Sequence, residues 1–202
     1  MKESSLKIRS QKKQLEANLK KQLFILNQFK QNAQIKEKLY LSIGWLYDQL
    51  ALKDSKKRYL FQAKAIQFFK KAIKSKDKEV KFQGLRGLAT VLLHQKKFKN
   101  ALSFYKKSYL LKKNFHIYND LGNIYQKMGQ HPKALKFYKM ALNAIKNKKD
   151  KEILAIPLFN LIKLSEKMNK KSEAKNYTHL LKKISKNSSF AKELFEKINN
   201  SF

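Results

Sequence analysis

The sequence predicts an all-α fold of antiparallel helix pairs stacked in series, and three observations carry that expectation. Apolar residues recur at spacings of three and four along the 202 residues, as on a helix face, and not at two as on a strand. Five glycines and two prolines leave little turn chemistry for β-hairpins. A pattern of small and large side chains also repeats, with the stretch beginning at Ala101 returning at Ala134.

The pattern is clearest between Phe115 and Leu142, where Leu121-Gly122, Tyr125, Gly129, Ala134, Tyr138 and Ala141 fall at fixed offsets. Two helices approach closely only where small side chains sit at the crossing, which Gly122 and Ala134 supply, with Tyr125 and Tyr138 filling the space beside them. Gly129 suits a left-handed helix end and Pro132 suits the first turn of the next helix. This spacing resembles the tetratricopeptide repeat, a helix–turn–helix unit of about 34 residues. The resemblance implies a TPR-type α-solenoid, a right-handed superhelix of antiparallel helix pairs, whose activity is protein recognition.

From the N-terminus, residues 1–36 are expected as a helical extension or cap. Leu15, Leu19, Leu23, Leu26 and Phe29 form one helical stripe there, able to pack on the first repeat or on a partner. About four helix pairs follow over 37–187. In 37–76, Ile43-Gly44 and Tyr47 stand for the first helix and Ala65, Phe69 and Ala72 for the second, with nine more residues between the halves than in the central unit. In 82–114, Leu88-Ala89 and Leu92 precede Ala101, Tyr105 and Ser108. The central unit is 115–148. A degenerate one spans 155–187, where Leu161, Ala174 and Leu181 keep the spacing while Ile162 replaces the glycine and Thr178 the aromatic ring. Residues 188–202 read as a C-terminal capping helix, with Phe190, Leu194, Phe195 and Ile198 on one face and Ser188 or Ser189 as its cap.

No apolar run reaches the roughly seven residues of a signal-peptide core or the roughly twenty of a membrane helix. The chain has no cysteine, which fits a reducing compartment, and a cytoplasmic location is the expectation. The net charge is +33, from 47 basic and 14 acidic residues, and only Arg9, Arg58 and Arg86 are arginine. Two explanations stand: an anionic partner such as RNA or a ribosome, or coding bias toward lysine, asparagine and isoleucine. Lysine pairs at 70–71, 106–107 and 112–113, and the run from Lys146 to Lys151, fall on or after second helices, the expected convex side.

Catalytic signals are missing. No glycine-rich phosphate loop occurs, and His94, His116, His131 and His179 are isolated from one another and from acid clusters. The expectation is a non-enzyme with no cofactor and no metal. The resemblance implies that first helices line a concave groove for a peptide or helix. On this chain the groove positions are Trp45, Arg86, Thr90, His94, His116, Asn119, Asp120, Asn123, Lys127, Asn160 and Lys163. Family members that clasp a terminal carboxylate use a lysine–asparagine clamp. Arg86, Thr90 and Asp120 depart from it, so that activity is not expected. The leading reading is a protein-interaction scaffold. The second is an RNA- or ribosome-binding protein acting through its lysine surface.

Overall fold

Side-chain caps mark where four of the helices begin. In a computed structural model that describes residues 2–29, 31–145 and 152–199, the chain forms ten α-helices and a short 3₁₀ turn, with no strand among those residues. The lysine run from Lys146 to Lys151 lies outside them. The helices fall into two units, residues 1–111 and 112–202.

The first unit holds α1 (Lys2–Gln28), α2 (Ala33–Lys53), α3 (Arg58–Ile73), α4 (Lys78–His94) and α5 (Phe98–Leu111). Asn32 caps α2 by accepting from Ile35 N, and Asp77 caps α4 by accepting from Glu79 N and Val80 N. α1 lies against α2, where Leu19 is buried, Leu15, Leu23 and Leu26 are half-buried and Phe29 is exposed. The fully buried ring of Phe69, on α3, seats between α2 and α4. A Cβ built on Gly44 would stand 2.7 Å from that ring, and one on Gly87 would overlap it. The ring can occupy this place only because both neighbouring helices present bare backbone to it.

The second unit holds α6 (Phe115–Lys127), α7 (His131–Ile145), a 3₁₀ turn (Glu152–Leu154), α8 (Ala155–Lys167), α9 (Lys171–Ser185) and α10 (Ser189–Asn199). Asn114 caps α6 through Ile117 N, and Ser188 caps α10 through Ala191 N. Gly122 contacts the ring of Tyr138, rather than Ala134, at the α6–α7 crossing, and Tyr138 is fully buried. In the last pair the volumes are exchanged: Ile162 is large and fully buried, while Thr178 is small. Ile162 joins Ala155, Leu158, Leu181, Ala191 and Ile198 in one apolar cluster that includes α10.

Three of the pairs turn in the same way. Lys96, Gly129 and Asn169 each have positive φ, at 60°, 75° and 57°. Around them Lys97 N, Gln130 N and Lys170 N donate to Leu92 O, Tyr125 O and Ser165 O. This is the Schellman arrangement, in which a left-handed residue lets two free carbonyls at the helix end be satisfied. The α2–α3 turn differs: Asp54 is extended, and its carboxylate accepts from Lys57 N.

Gly122→Leu would force the Tyr138 ring off α6, and overpacking of this kind costs about 1–3 kcal/mol. Its thermal midpoint should fall, and an unchanged midpoint would mean that the crossing is not close. At the turns, no atom lies within 4 Å of a Cβ placed on Gly129, so Gly129→Ala carries backbone strain alone, of about 1–2 kcal/mol. Lys96→Gly removes the same strain and should raise stability, which denaturant midpoints will read. A Gly129→Ala variant as stable as the parent would contradict this account.

Candidate interaction surface

In three of the pairs, the residue after the small crossing position holds the ring that sits there. Trp45, after Gly44, meets the Phe69 ring edge-on at 5.0 Å. Thr90, after Ala89, has its hydroxyl 3.0 Å from the Tyr105 hydroxyl. Asn123, after Gly122, has its side-chain oxygen 2.7 Å from the Tyr138 hydroxyl, with Gln126 Oε1 at 2.6 Å from the same hydroxyl. A phenol has one proton, so Tyr138 donates to one of these amides and meets the NH₂ of the other. Burial, and then the Asp120 carboxylate, push the Tyr138 phenol far above its ordinary pKa and keep it a donor. In the fourth pair Lys163 takes the same position, half-buried, and Thr178 offers no ring to hold. Trp45, Thr90 and Asn123, expected on the groove, therefore also clasp the interior of their own pairs.

The remaining expected positions are placed as follows. Within the first unit, His94 Nδ1 lies 3.0 Å from the carboxylate of the buried Asp48, joining α4 to α2. Arg86 donates to Gln83 Oε1 at 2.9 Å, and its guanidinium stands 5.9 Å from the centre of the Phe82 ring. Within the second unit, His116 is exposed beside Phe115, Asp120 is half-buried and Lys127 is exposed at the end of α6. Asn160 on α8 donates from Nδ2 to Asn119 Oδ1 on α6 at 2.8 Å. This bond uses one hydrogen of Asn160 and one lone pair of Asn119. The Asn119 NH₂ and the Asn160 carbonyl remain side by side, a donor next to an acceptor on two neighbouring first helices.

The second helices carry a different chemistry. Lys139 on α7 reaches Glu173 on α9 at 2.8 Å, and that hydrogen bond lowers the Glu173 pKa and raises that of Lys139. Lys70, Lys71, Lys106 and Lys107 are exposed, with Lys71 over the rings of Tyr40 and Phe68 and Lys107 over Phe104. Among the described residues no group of three or more histidines and acids could hold a metal, and no helix is long and apolar enough to cross a membrane.

Sequence reasoning missed Asp48, Gly87 and the Asn119–Asn160 bond. All three depend on contacts between successive helix pairs, and a pattern read within one repeat does not reveal them. The acid at Asp48 on an otherwise apolar face, one residue after Tyr47, was the available signal for a buried partner.

The tetratricopeptide repeat family matches residues 117–144, which are contained in α6 and α7. No curated protein matches the chain by sequence. Among solved structures, BtubC (BKLC) from P. vanneervenii superposes with a TM-score of 0.60 at 17% identity, over 92% of this chain and 76% of that one. PilF of Pseudomonas aeruginosa superposes with a TM-score of 0.51 at 16% identity, over 91% of this chain and 82% of its own. At such identities the likeness is one of fold. With the repeat at 117–144 and helices packed pair after pair, the chain carries a tetratricopeptide repeat and has the fold of a tetratricopeptide-type helical solenoid.

Proposed function

We propose that the chain is a non-catalytic scaffold that holds a protein segment, an extended peptide or a helix, against its first helices. Tetratricopeptide arrays serve protein interaction, and the observation that carries the finer reading is the Asn119–Asn160 pair. Its free NH₂ and free carbonyl match the alternating C=O and N–H of an extended peptide backbone. Lys127 and Lys163 lie on the same two helices and suit a segment with acidic side chains. On α6 this wall is backed by the clasped ring of Tyr138, which favours a ligand meeting groups already in position. In the first unit Arg86 and His94 lie on α4, and Trp45 on α2, with the same polar and aromatic character.

A second reading is favoured by one observation, the net charge of +33 with exposed lysines on the second helices. On that reading the ligand is RNA or a ribosome, bound by counterion release. The two readings differ in their dependence on salt and on surface.

The test is the affinity of a peptide selected from a random library on the immobilised protein, measured by calorimetry at low and high salt. Each hydrogen bond to the wall is worth about 0.5–1.5 kcal/mol net, so Asn119→Ala with Asn160→Ala should weaken binding by about tenfold at both salts. Replacing Lys106 and Lys107 by Gln should leave peptide affinity nearly unchanged. Normal binding by the double asparagine variant, with loss confined to the lysine variant and to high salt, would replace this reading with the polyanion one.

A further inference from the structure

The first helix pair is longer than the others, and the added length is concentrated at one tip. Gly44 precedes Ala65 by 21 residues, whereas Gly122 precedes Ala134 by 12, and Ala89 precedes Ala101 by 12. The α2 helix continues to Lys53 and α3 starts at Arg58, so each runs about one turn, or about 6 Å, past the ends of its counterparts α4 and α5. The tip is held in place. Lys12 of α1 reaches the Asp54 carboxylate at 2.8 Å, and Lys53 donates to Gln11 at 2.9 Å.

This tip presents large apolar side chains to solvent. Leu52 is 54% exposed, Tyr59 82% and Leu60 52%. Lys53, Lys56, Lys57 and Arg58 are interspersed with them and exposed. The one acid in the segment, Asp54, is neutralised by Lys12 and also caps the turn through Lys57 N. Among the described residues Lys56, Lys57 and Arg58 have no ionic partner.

We propose that the α2–α3 tip docks on the surface of a membrane carrying anionic lipid. Two leucines and a tyrosine projecting from a rigid tip match the boundary between headgroups and acyl chains, where a tyrosine places its ring in the apolar layer and its hydroxyl in water. The four exposed cations interspersed with them in the sequence match the negative surface of such a leaflet. A nucleic acid would satisfy the cations but not the leucines, which have no π face on which a base can stack. Leu52 and Leu60 are thus the residues that separate the two kinds of polyanion. This surface shares no residue with the first-helix wall.

The experiment uses the full chain with vesicles of phosphatidylcholine alone and of phosphatidylcholine mixed with phosphatidylserine. The chain has no cysteine, so Tyr59→Cys provides a single site for a polarity-sensitive dye. Mixed vesicles should shift the dye emission to the blue, while heparin, single-stranded RNA and phosphatidylcholine vesicles should not. In co-sedimentation, the triple variant Leu52→Ser, Tyr59→Ser, Leu60→Ser and the triple variant Lys56→Gln, Lys57→Gln, Arg58→Gln should each lose affinity by about tenfold or more. A control with the same charge change elsewhere, Lys99→Gln, Lys106→Gln, Lys107→Gln, should lose about threefold or less. All substituted residues are exposed, so folding is preserved, and thermal melts verify it. A dye that stays in water on mixed vesicles overturns the proposal. So does an apolar variant that binds like the parent, a control that loses as much as the tip variant, or a blue shift produced by RNA and not by vesicles.

Discussion

The structure depends on one contact: an aromatic ring from a second helix resting on the bare backbone of a first helix. Phe69 rests on Gly44 and Gly87, and Tyr138 on Gly122. A ring of this size, wholly removed from water, stabilises by about 1.5–3 kcal/mol, and at Phe69 and Tyr138 the missing Cβ on the opposite helix makes room for it. The contact also sets how closely the helices lie, and so which side chains reach across. In the last pair the large buried side chain, Ile162, comes from the first helix, and the small Thr178 stands at the ring's place in the repeat.

The same contact shapes the surface on the other side. A buried tyrosine brings a hydroxyl that must be satisfied, and the residue after the crossing position supplies the partner: Thr90 for Tyr105 and Asn123 for Tyr138. Polar groups on the first helices are therefore divided in two. Some complete the interior, and others, such as Asn119 and Asn160, bond across neighbouring helices and keep donor and acceptor capacity in hand.

Much of the fold was legible in the sequence because it rests on local rules. Helical periodicity, the Gly122–Tyr138 spacing and the glycine at 129 each follow from chemistry within about one repeat. The left-handed residues Lys96 and Asn169 were not foreseen: a lysine carries no signal for positive φ, and the helix end imposes it there by satisfying two carbonyls at once. Gly87 was not foreseen either, since the ring it admits comes from the preceding pair. For the surface, the sequence reading expected Asn123 on the groove and gave it no partner within the chain. The amide bonds to Tyr138, and only the three-dimensional proximity of α6 and α7 reveals this. The nine added residues of the first pair were countable in the sequence, whereas their division between longer helices and a turn of nearly ordinary length was not.

The central claim is that ring and bare backbone form one coupled unit, and a double-mutant cycle measures it most directly. Gly122→Ile and Tyr138→Thr together give the central pair the combination already present at Ile162 and Thr178. Unfolding free energies of the parent, both single variants and the double variant define the coupling. The account predicts that each single change destabilises and that the double variant is more stable than their sum implies, by about 1–3 kcal/mol, as expected for residues in contact. Strict additivity of the two changes would contradict it.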